Sequence, residues 1–322
     1  MVNQKQSWIT NPKFKQEIMN LIKNIPIPIC GLILALLSLG NLTQDIQPAL
    51  KILFGSIGVI LLILIILKIV SYPNSIRKDF KNPVIVSSSG TFSMSLMILS
   101  TYAIQFSPTL AYGIWIIGIA LHIMLMIYFT YHFIMHNFNI SNVYPSYWIV
   151  YIGITMGAIT SSVHGITEIG FCFFIVGFIA MLITFPLVVY RYLTCPDVPD
   201  VNKPLICIFT AVLSILIVGY LNSAQTVSNE FVIVLYVLAC ALYVFSLLKF
   251  IQYRNLDFYP SFSAFTFPFV ISALATKGIN AKIGSNLILT NLLSVETAIA
   301  IVIVVYILMR YINFLKNSES RN

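Results

Sequence analysis

The sequence predicts an all-α integral membrane protein built from ten transmembrane helices. Of its 322 residues, 59% are hydrophobic and only 9% are charged, and its mean hydropathy is +0.93. Ten apolar blocks follow one another along the chain, and their interiors contain almost no ionisable side chains. Soluble globular chains carry about 25% charged residues. This composition therefore predicts lipid rather than water around most of the protein surface.

Each block is long enough to cross a bilayer, because a helix needs about 20 apolar residues to cover about 30 Å of hydrocarbon. The predicted spans are residues 25–43, 50–71, 84–105, 109–133, 146–165, 169–193, 204–222, 230–252, 259–277 and 293–315. Short polar linkers join them and leave no room for a second folded domain. We expect one transmembrane domain over 25–315, between tails 1–24 and 316–322. The first span is predicted to act as an uncleaved anchor.

Basic residues predict the orientation of the chain in the membrane. They concentrate in the linkers after even-numbered spans and in the C-terminal tail: Arg77, Lys78, Lys81, Arg191, Lys203, Lys249, Arg254, Arg310, Lys316 and Arg321. The linkers after odd-numbered spans carry acidic residues and three lysines that are exceptions: Asp45, Glu168, Glu230, Lys51, Lys277 and Lys282. Because basic linkers stay inside, both termini are predicted to be cytoplasmic. The sequence is rich in Lys, Asn and Ile, which favours a bacterial protein and therefore a location in the bacterial plasma membrane.

Odd- and even-numbered spans differ in composition. The odd spans begin with proline or contain small, helix-breaking residues: Pro26, Pro28 and Gly31; Pro83 and Gly90; Pro145, Gly153 and Gly157; Pro204 and Gly219; Pro260 and Pro268. Even spans such as 50–71 and 230–252 are bulkier and more apolar. Within a membrane, a segment with interrupted backbone hydrogen bonds is tolerated only where it is buried in protein or lines a water-filled cavity. We therefore predict five helical hairpins, with inner odd-numbered helices around a central pore.

Several function classes are excluded or disfavoured by what the sequence lacks. It has no Walker loop, dinucleotide-binding glycine motif, GxSxG or HExxH pattern, so we predict neither ATP-driven transport nor an enzyme. The five cysteines have no metal-ligand spacing, which favours buried apolar roles and no metal or cofactor. The net charge of +8 is not gathered into a basic stripe on a soluble face, which argues against nucleic-acid binding.

Three sequence stretches carry a resemblance to a known family. The ninth block reads YPSFSAFTFPFVISALATKGI from Tyr259, the fifth opens with YPSYWIVYIG from Tyr144, and the first contains IPICGLILALLSLG from Ile27. Together with ten spans in this length, they resemble the tellurite-resistance/dicarboxylate transporter family. That family includes bacterial TehA and the plant guard-cell slow anion channels. The resemblance covers the chain from about Pro26 to the last span.

The resemblance implies a homotrimer in which each subunit has its own pore, lined by odd-numbered helices and occluded by a phenylalanine on the ninth. Aligned on Ala264-Phe265-Thr266-Phe267-Pro268, this gate falls on Phe267, and Pro268 is the kink that loosens its turn. Phe265 is about 200° away around the helix and faces another direction. The alternative interpretation of Phe267 is an ordinary packing aromatic.

Small hydroxyl residues on odd spans are candidate pore-lining groups, because they can donate hydrogen bonds to an anion without a fixed charge. The candidates are Ser87, Ser89, Ser93, Thr155, Thr160, Ser214, Thr266 and Ser272. The competing interpretation is hydrogen bonding between helices or back to the carbonyls of the same helix.

Titratable residues in or near the spans suggest few other roles. His122 lies near mid-membrane, where a proton relay and a neutral, hydrogen-bonded imidazole both remain open. His132 and His136 have the i, i+4 spacing of two metal ligands, without an intervening HExxH pattern. Glu168 and Glu296 are interpreted as first-turn carboxylates that complement helix dipoles.

The leading function is a gated channel for small inorganic anions such as chloride or nitrate, as the resemblance implies. The spans lack mid-membrane carboxylates that would form a cation ring. The alternative is a secondary transporter of a C4-dicarboxylate or of tellurite, since Pro268 could break the ninth helix around a substrate site. An intramembrane enzyme is disfavoured because no cluster of nucleophile, base and metal ligands lies at depth.

Overall fold

The computed structural model of the protein describes residues 12–319 and is all-helical. Helices account for 84% of the structure, and these described residues contain no strand. The predicted tails 1–24 and 316–322 lie partly outside this range. Within it, residues 12–24 form a helix, and the last helix continues to Glu319.

Thirteen α-helices make up most of the described chain. They are α1 (Pro12–Asn24), α2 (Cys30–Thr43), α3 (Pro48–Ser71), α4 (Pro73–Asp79), α5 (Pro83–Ala103), α6 (Pro108–Phe129), α7 (Ser146–Tyr151), α8 (Thr155–Ser161), α9 (Thr167–Thr194), α10 (Phe209–Ser223), α11 (Asn229–Tyr253), α12 (Phe267–Lys282) and α13 (Leu287–Glu319). Tighter 3-10 turns cover Ile27–Ile29, Ile140–Asn142, Ser162–His164, Asp200–Ile208 and Pro260–Phe265, and a π-helical turn covers Thr130–Met135.

Eight helical segments of the described chain are long and apolar enough to cross a membrane, and a ninth qualifies if a bent pair is counted as one span. That pair joins Lys15–Asn24 to Ile27–Thr43 at an angle of 84°. The predicted span 146–165 is not one continuous helix, because α7 and α8 are separated by a turn at residues 152–154. The first and fifth predicted spans are therefore the two whose helices are too short to qualify alone.

Prolines explain why several inner elements begin as 3-10 turns. Proline has no backbone N–H, so the i to i−4 hydrogen bond cannot form at its position. Pro28, Pro204 and Pro260 each lie within such a turn. Gly153 lies in the turn between α7 and α8, where its backbone N–H shares the Trp148 carbonyl oxygen with that of Ile152.

Burial alternates along the chain as the composition of the spans predicts. In Pro83–Ala103, Asp200–Ser223 and Pro260–Lys282, 67% to 89% of the spanning window is buried inside the protein. In the other five spans this share is only 28% to 33%, and their exposed side chains are mainly Ile, Leu and Val. Nearly all of α2 and α8 is buried as well.

The buried segments close into a ring. In order around the ring, α2 contacts α5, α5 contacts α8, α8 contacts α10, α10 contacts α12, and α12 contacts α2. Each ring helix also packs against the helix that follows it in sequence: α3, α6, α9, α11 and α13, respectively. We call the ring elements the inner segments: Ile27–Thr43, Pro83–Ala103, 146–164, Asp200–Ser223 and Pro260–Lys282.

Candidate conduit between the inner segments

A cavity of about 50 Å³ lies among the inner segments, and all five contribute to its wall. Each contributes at least one wall residue, such as Pro28, Thr91, Gly153, Val212 and Phe267. A space of this size holds only a few water molecules. The cavity is therefore a small space among the five inner segments and not an open channel.

The wall of this cavity is apolar except for a few hydroxyl groups. Ser88, Thr91 and Ser263 are its hydroxyl residues, and no ionisable side chain of the described chain lines it. The Thr91 hydroxyl donates to the Ser88 carbonyl oxygen at 2.7 Å. A small anion in this space would meet weak hydrogen-bond donors and no opposite charge.

Phe267 lies on the cavity wall at the point where the inner segment Pro260–Lys282 changes from a 3-10 turn to an α-helix. The 3-10 turn ends at Phe265, Thr266 has φ −97° and ψ −75°, and α12 begins at Phe267. Pro268 follows in the first turn of α12, where the missing N–H costs no helical hydrogen bond. The Thr266 hydroxyl donates to the Ser263 carbonyl oxygen at 2.6 Å and approaches that of Gly31 at 3.2 Å. These contacts fix the turn that carries the Phe267 ring.

Phe265 has a different environment from Phe267, although only Thr266 separates them. The Phe265 ring is fully buried, with its centroid 5.2 Å from those of both Phe250 and Phe262. Because Phe250 belongs to α11, Phe265 packs outward from the ring. Of these two aromatics, Phe267 alone lines the cavity.

The hydroxyl residues that the sequence suggested for pore lining are buried, except for the half-buried Ser89, and none of them is on the wall of this cavity. Ser87 donates to Ser146 at 2.8 Å, and Thr160 accepts from the Trp115 indole at 2.8 Å. Ser214 donates to the Thr210 carbonyl oxygen, and Ser272 lies further along α12. The structure thus gives three of these hydroxyls bonds within or between helices.

The wall hydroxyls Ser88, Thr91 and Ser263 were missed by the sequence reasoning. Ser88, Thr91 and Met94 repeat at three-residue intervals on α5, and all three line the cavity. That spacing places them on one face of a helix and was a usable signal. Which of the consecutive serines 87–89 faces the cavity depends on the rotation of α5 about its own axis, and the composition of the span does not determine that rotation.

Thr155 is clamped between two neighbouring helices. A methyl group on Gly177 of α9 would overlap the Thr155 hydroxyl, and one on Gly219 of α10 would overlap its methyl group. The Thr155 hydroxyl is fully buried and has no hydrogen-bond partner among the described residues. The two glycines therefore permit the close packing of α8, α9 and α10.

His122 is fully buried and is held by two hydrogen bonds. One ring nitrogen, Nδ1, lies 2.8 Å from the Ser93 hydroxyl, and the other, Nε2, lies 3.1 Å from the Val150 carbonyl oxygen. Ser93 belongs to the inner segment Pro83–Ala103 and Val150 to the inner segment 146–164, so the imidazole of α6 joins two elements of the ring. Nε2 donates to the carbonyl, which leaves a neutral Nδ1 to accept from the Ser93 hydroxyl.

Glu296 has a different place from the one the sequence suggested. Helix α13 begins at Leu287, so Glu296 lies well inside it and is not a first-turn carboxylate. Its side chain is buried and accepts a hydrogen bond from the Thr276 hydroxyl at 2.5 Å. The Thr276 hydroxyl also lies 2.8 Å from the Tyr236 hydroxyl, so this network links α11, α12 and α13. Glu168 is exposed and accepts from Gln225.

The two histidines with metal-ligand spacing bond to their own helix. His132 Nδ1 lies 3.0 Å from the Tyr128 carbonyl oxygen, and His136 Nδ1 lies 2.7 Å from that of Tyr131. No group of three or more His, Cys, Asp or Glu residues with metal-site geometry occurs among residues 12–319.

The YPSYW stretch joins the start of the inner segment 146–164 to an outer helix. Arg191 of α9 is almost fully buried, and its Nη2 donates to the Tyr144 hydroxyl at 3.1 Å. The guanidinium carbon lies 4.5 Å from the centre of the Tyr144 ring, a cation–π contact. Trp148 lines the cavity and stacks on Phe185 of α9 at 5.6 Å.

Comparison with known proteins identifies a family for nearly the whole chain. A family model described as SLAC1, voltage-dependent anion channel, matches residues 24–312. That stretch contains every inner segment and the cavity. Comparison with individual curated proteins gives no match.

Proposed function

The chain belongs to the SLAC1 family of voltage-dependent anion channels, and from this premise we propose that it conducts small inorganic anions, such as chloride or nitrate, across a membrane. The anions pass along the axis of the inner segments, and Phe267 closes this path. An anion channel or transporter of this family is a membrane protein and not an enzyme, in line with the apolar helices described above.

The observation that carries the proposal is the position of Phe267 on the wall of a cavity to which all five inner segments contribute. A ring of this size in a narrow apolar passage blocks ions sterically and disfavours water. Opening then requires a new rotamer of Phe267 or a displacement of α12. The change of helical form at Thr266 is the natural place for such a displacement.

The chemistry of the wall favours a neutral passage for anions over a cation path. Cation channels use rings of carboxylates, whereas this wall offers hydroxyl donors such as Thr91 and Ser263 without a fixed charge. The buried carboxylate of Glu296 lies between α12 and α13, outside the lining residues. Weak, uncharged contacts let an anion leave the passage as readily as it binds.

The complete architecture is also part of the proposal. We propose ten membrane crossings, with the bent span 25–43 and the broken span 146–165 each crossing once, as five hairpins within a domain over 25–315. The basic linkers support cytoplasmic termini, with tails 1–24 and 316–322 on that side of a bacterial plasma membrane. The family resemblance supports a homotrimer with one pore per subunit.

The proposed function is tested by measuring the reversal potential of the purified protein in planar bilayers under asymmetric potassium chloride. A reversal potential close to the equilibrium potential of chloride is expected, because the wall has no carboxylate. A value close to that of potassium, or no conductance in the wild-type protein and in Phe267→Ala, would contradict an anion channel.

A secondary transporter of a C4-dicarboxylate or of tellurite is the second candidate. The breaks at residues 152–154 and at Thr266 favour it, because carriers bind anions at the ends of discontinuous helices. The lack of a basic side chain on the cavity wall weighs against a divalent substrate. Flux that saturates with substrate and depends on a proton gradient would favour the carrier, whereas a linear, gradient-independent flux would favour the channel.

A further inference from the structure

The inner segments run parallel, so their C-terminal ends meet at one end of the ring. Contacts between residues near the C-terminal ends of different inner segments show this. The Ser100 hydroxyl lies 3.0 Å from Nε2 of His164, and Lys277 and Lys282 of α12 reach the last turns of α2 and α10. Early residues likewise meet at the opposite end, where Ser87 contacts Ser146. We call the end formed by Thr43, Ala103, His164, Ser223 and Lys282 the C-terminal mouth.

This arrangement creates an electrostatic obstacle for an anion. The last carbonyl groups of a helix carry about half of a negative elementary charge. Five parallel helix ends around one mouth therefore amount to about −2.5 charges. An uncompensated C-terminal mouth would repel the ion that the conduit is proposed to carry.

Two lysines of α12 reach these helix ends. The Lys277 amine donates to the Leu42 carbonyl oxygen of α2 at 3.2 Å, and the Lys282 amine donates to the Leu221 carbonyl oxygen of α10. Because α12 lies between α2 and α10 in the ring, one helix supplies cations to the ends of both neighbours. Both lysines lie at or after the end of an odd-numbered span, whereas most basic residues follow even-numbered spans. The preference of basic linkers for the cytoplasmic side therefore does not explain them.

We propose that Lys277 and Lys282 form a cationic rim that admits monovalent anions to the conduit at the C-terminal mouth. The rim offsets the partial negative charges of the helix ends and raises the local anion concentration. This inference rests on the proposed anion-conducting function and adds the residues that determine access from one side. Lys51 adds a third positive charge nearby, where its amine donates to Gln44 at 2.8 Å.

Asp45 acts against the rim. Its carboxylate lies 2.7 Å from the Lys277 amine, and 69% of its side chain is exposed, whereas only 27% of the Lys277 side chain is. An approaching anion therefore competes with Asp45 for the same amine. Removing the carboxylate charge leaves Lys277 free to attract the anion, so the two residues have opposite effects on access.

The test compares anion currents in bilayers that hold the protein in a single orientation, with Phe267→Ala as the conducting parent. The variant Lys277→Gln/Lys282→Gln is expected to lower the current of anions that enter the C-terminal mouth about tenfold in dilute chloride. The loss should fall below about twofold in 1 M salt, where charges are screened within about 3 Å. Asp45→Asn should raise the same current.

The matched control is Lys78→Gln/Lys249→Gln, which removes two positive charges from α4 and α11 outside the rim. Equal currents for the rim variant and this control would overturn the proposal, as would a loss that does not depend on salt. A decrease in Asp45→Asn would show that the ion pair is only a structural tie and would also overturn it. A parent without anion current would instead overturn the proposed function, and the rim with it.

Discussion

Glu296 accepts a hydrogen bond from Thr276 across the contact between α13 and α12, at 2.5 Å and out of contact with solvent. A buried carboxylate is costly unless donors satisfy it, and Thr276 is the donor that the structure provides. This pair holds α13, the last helix of the described chain, to α12, the helix that carries Phe267. It is therefore expected to determine how firmly α12 is held.

We expect Thr276→Val to destabilise the protein, because it removes the hydroxyl that donates a hydrogen bond to the buried Glu296 carboxylate. The expected loss is about 1 to 3 kcal/mol of unfolding free energy, measured by thermal unfolding in detergent. Thr194→Val is the control, since the Thr194 hydroxyl is exposed and bonds only within α9 and its end. Equal stability of the two variants would contradict the role given to Thr276.

Gly177→Ala is expected to destabilise the protein by about 1 to 3 kcal/mol, because the added methyl group overlaps the buried Thr155 hydroxyl. Gly113→Ala is the matched control. A methyl group there meets no atom within 4 Å, so the change is expected to be neutral or slightly stabilising. Adding Thr155→Ala to Gly177→Ala should restore stability, and a double variant no more stable than the single one would refute this packing.

His122→Phe is expected to lower thermal stability by about 1 to 3 kcal/mol, because it removes the hydrogen bonds of the ring to Ser93 and Val150. The Ser93 hydroxyl retains the Gly90 carbonyl oxygen, 2.9 Å away, as a partner. The anion flux and its pH dependence are expected to stay as in the wild type, since the imidazole joins helices and does not line the cavity. Flux assays in vesicles at several pH values test this. A pH response that disappears in the variant would instead favour the proton relay.

Hydropathy and proline placement were sufficient to predict much of this fold. The apolar blocks predicted the helices, and the prolines and glycines of the odd blocks predicted which helices are buried. The physical reason is that lipid forbids unsatisfied backbone groups, so irregular segments must lie inside. The short helix α4 was not predicted, because its seven residues lie in a polar linker.

The details of the site depended on information that the sequence does not carry directly. The turn at residues 152–154 breaks the predicted span 146–165, although no proline lies between Pro145 and that turn. Glu296 was placed at a helix start because the apolar block begins at 293, whereas α13 starts earlier, at Leu287. Side-chain burial follows from the rotation of each helix, and a shift of one residue turns it by about 100°.

Phe267→Ala tests the central claim most directly, because it removes only the ring that is proposed to close the conduit. Phe265→Ala is the matched control, since it makes the same truncation nearby in a ring buried between Phe250 and Phe262. That control is expected to cost about 3 to 5 kcal/mol of stability without opening a path.

The decisive measurement is the chloride conductance of both variants in planar bilayers at equal amounts of folded protein. We predict that Phe267→Ala raises the conductance at least about tenfold, which requires lowering the barrier by only about 1.4 kcal/mol. Phe265→Ala should stay at the wild-type level. Folded Phe267→Ala with wild-type conductance, or an equal rise in both variants, would contradict the assignment of Phe267 as the gate.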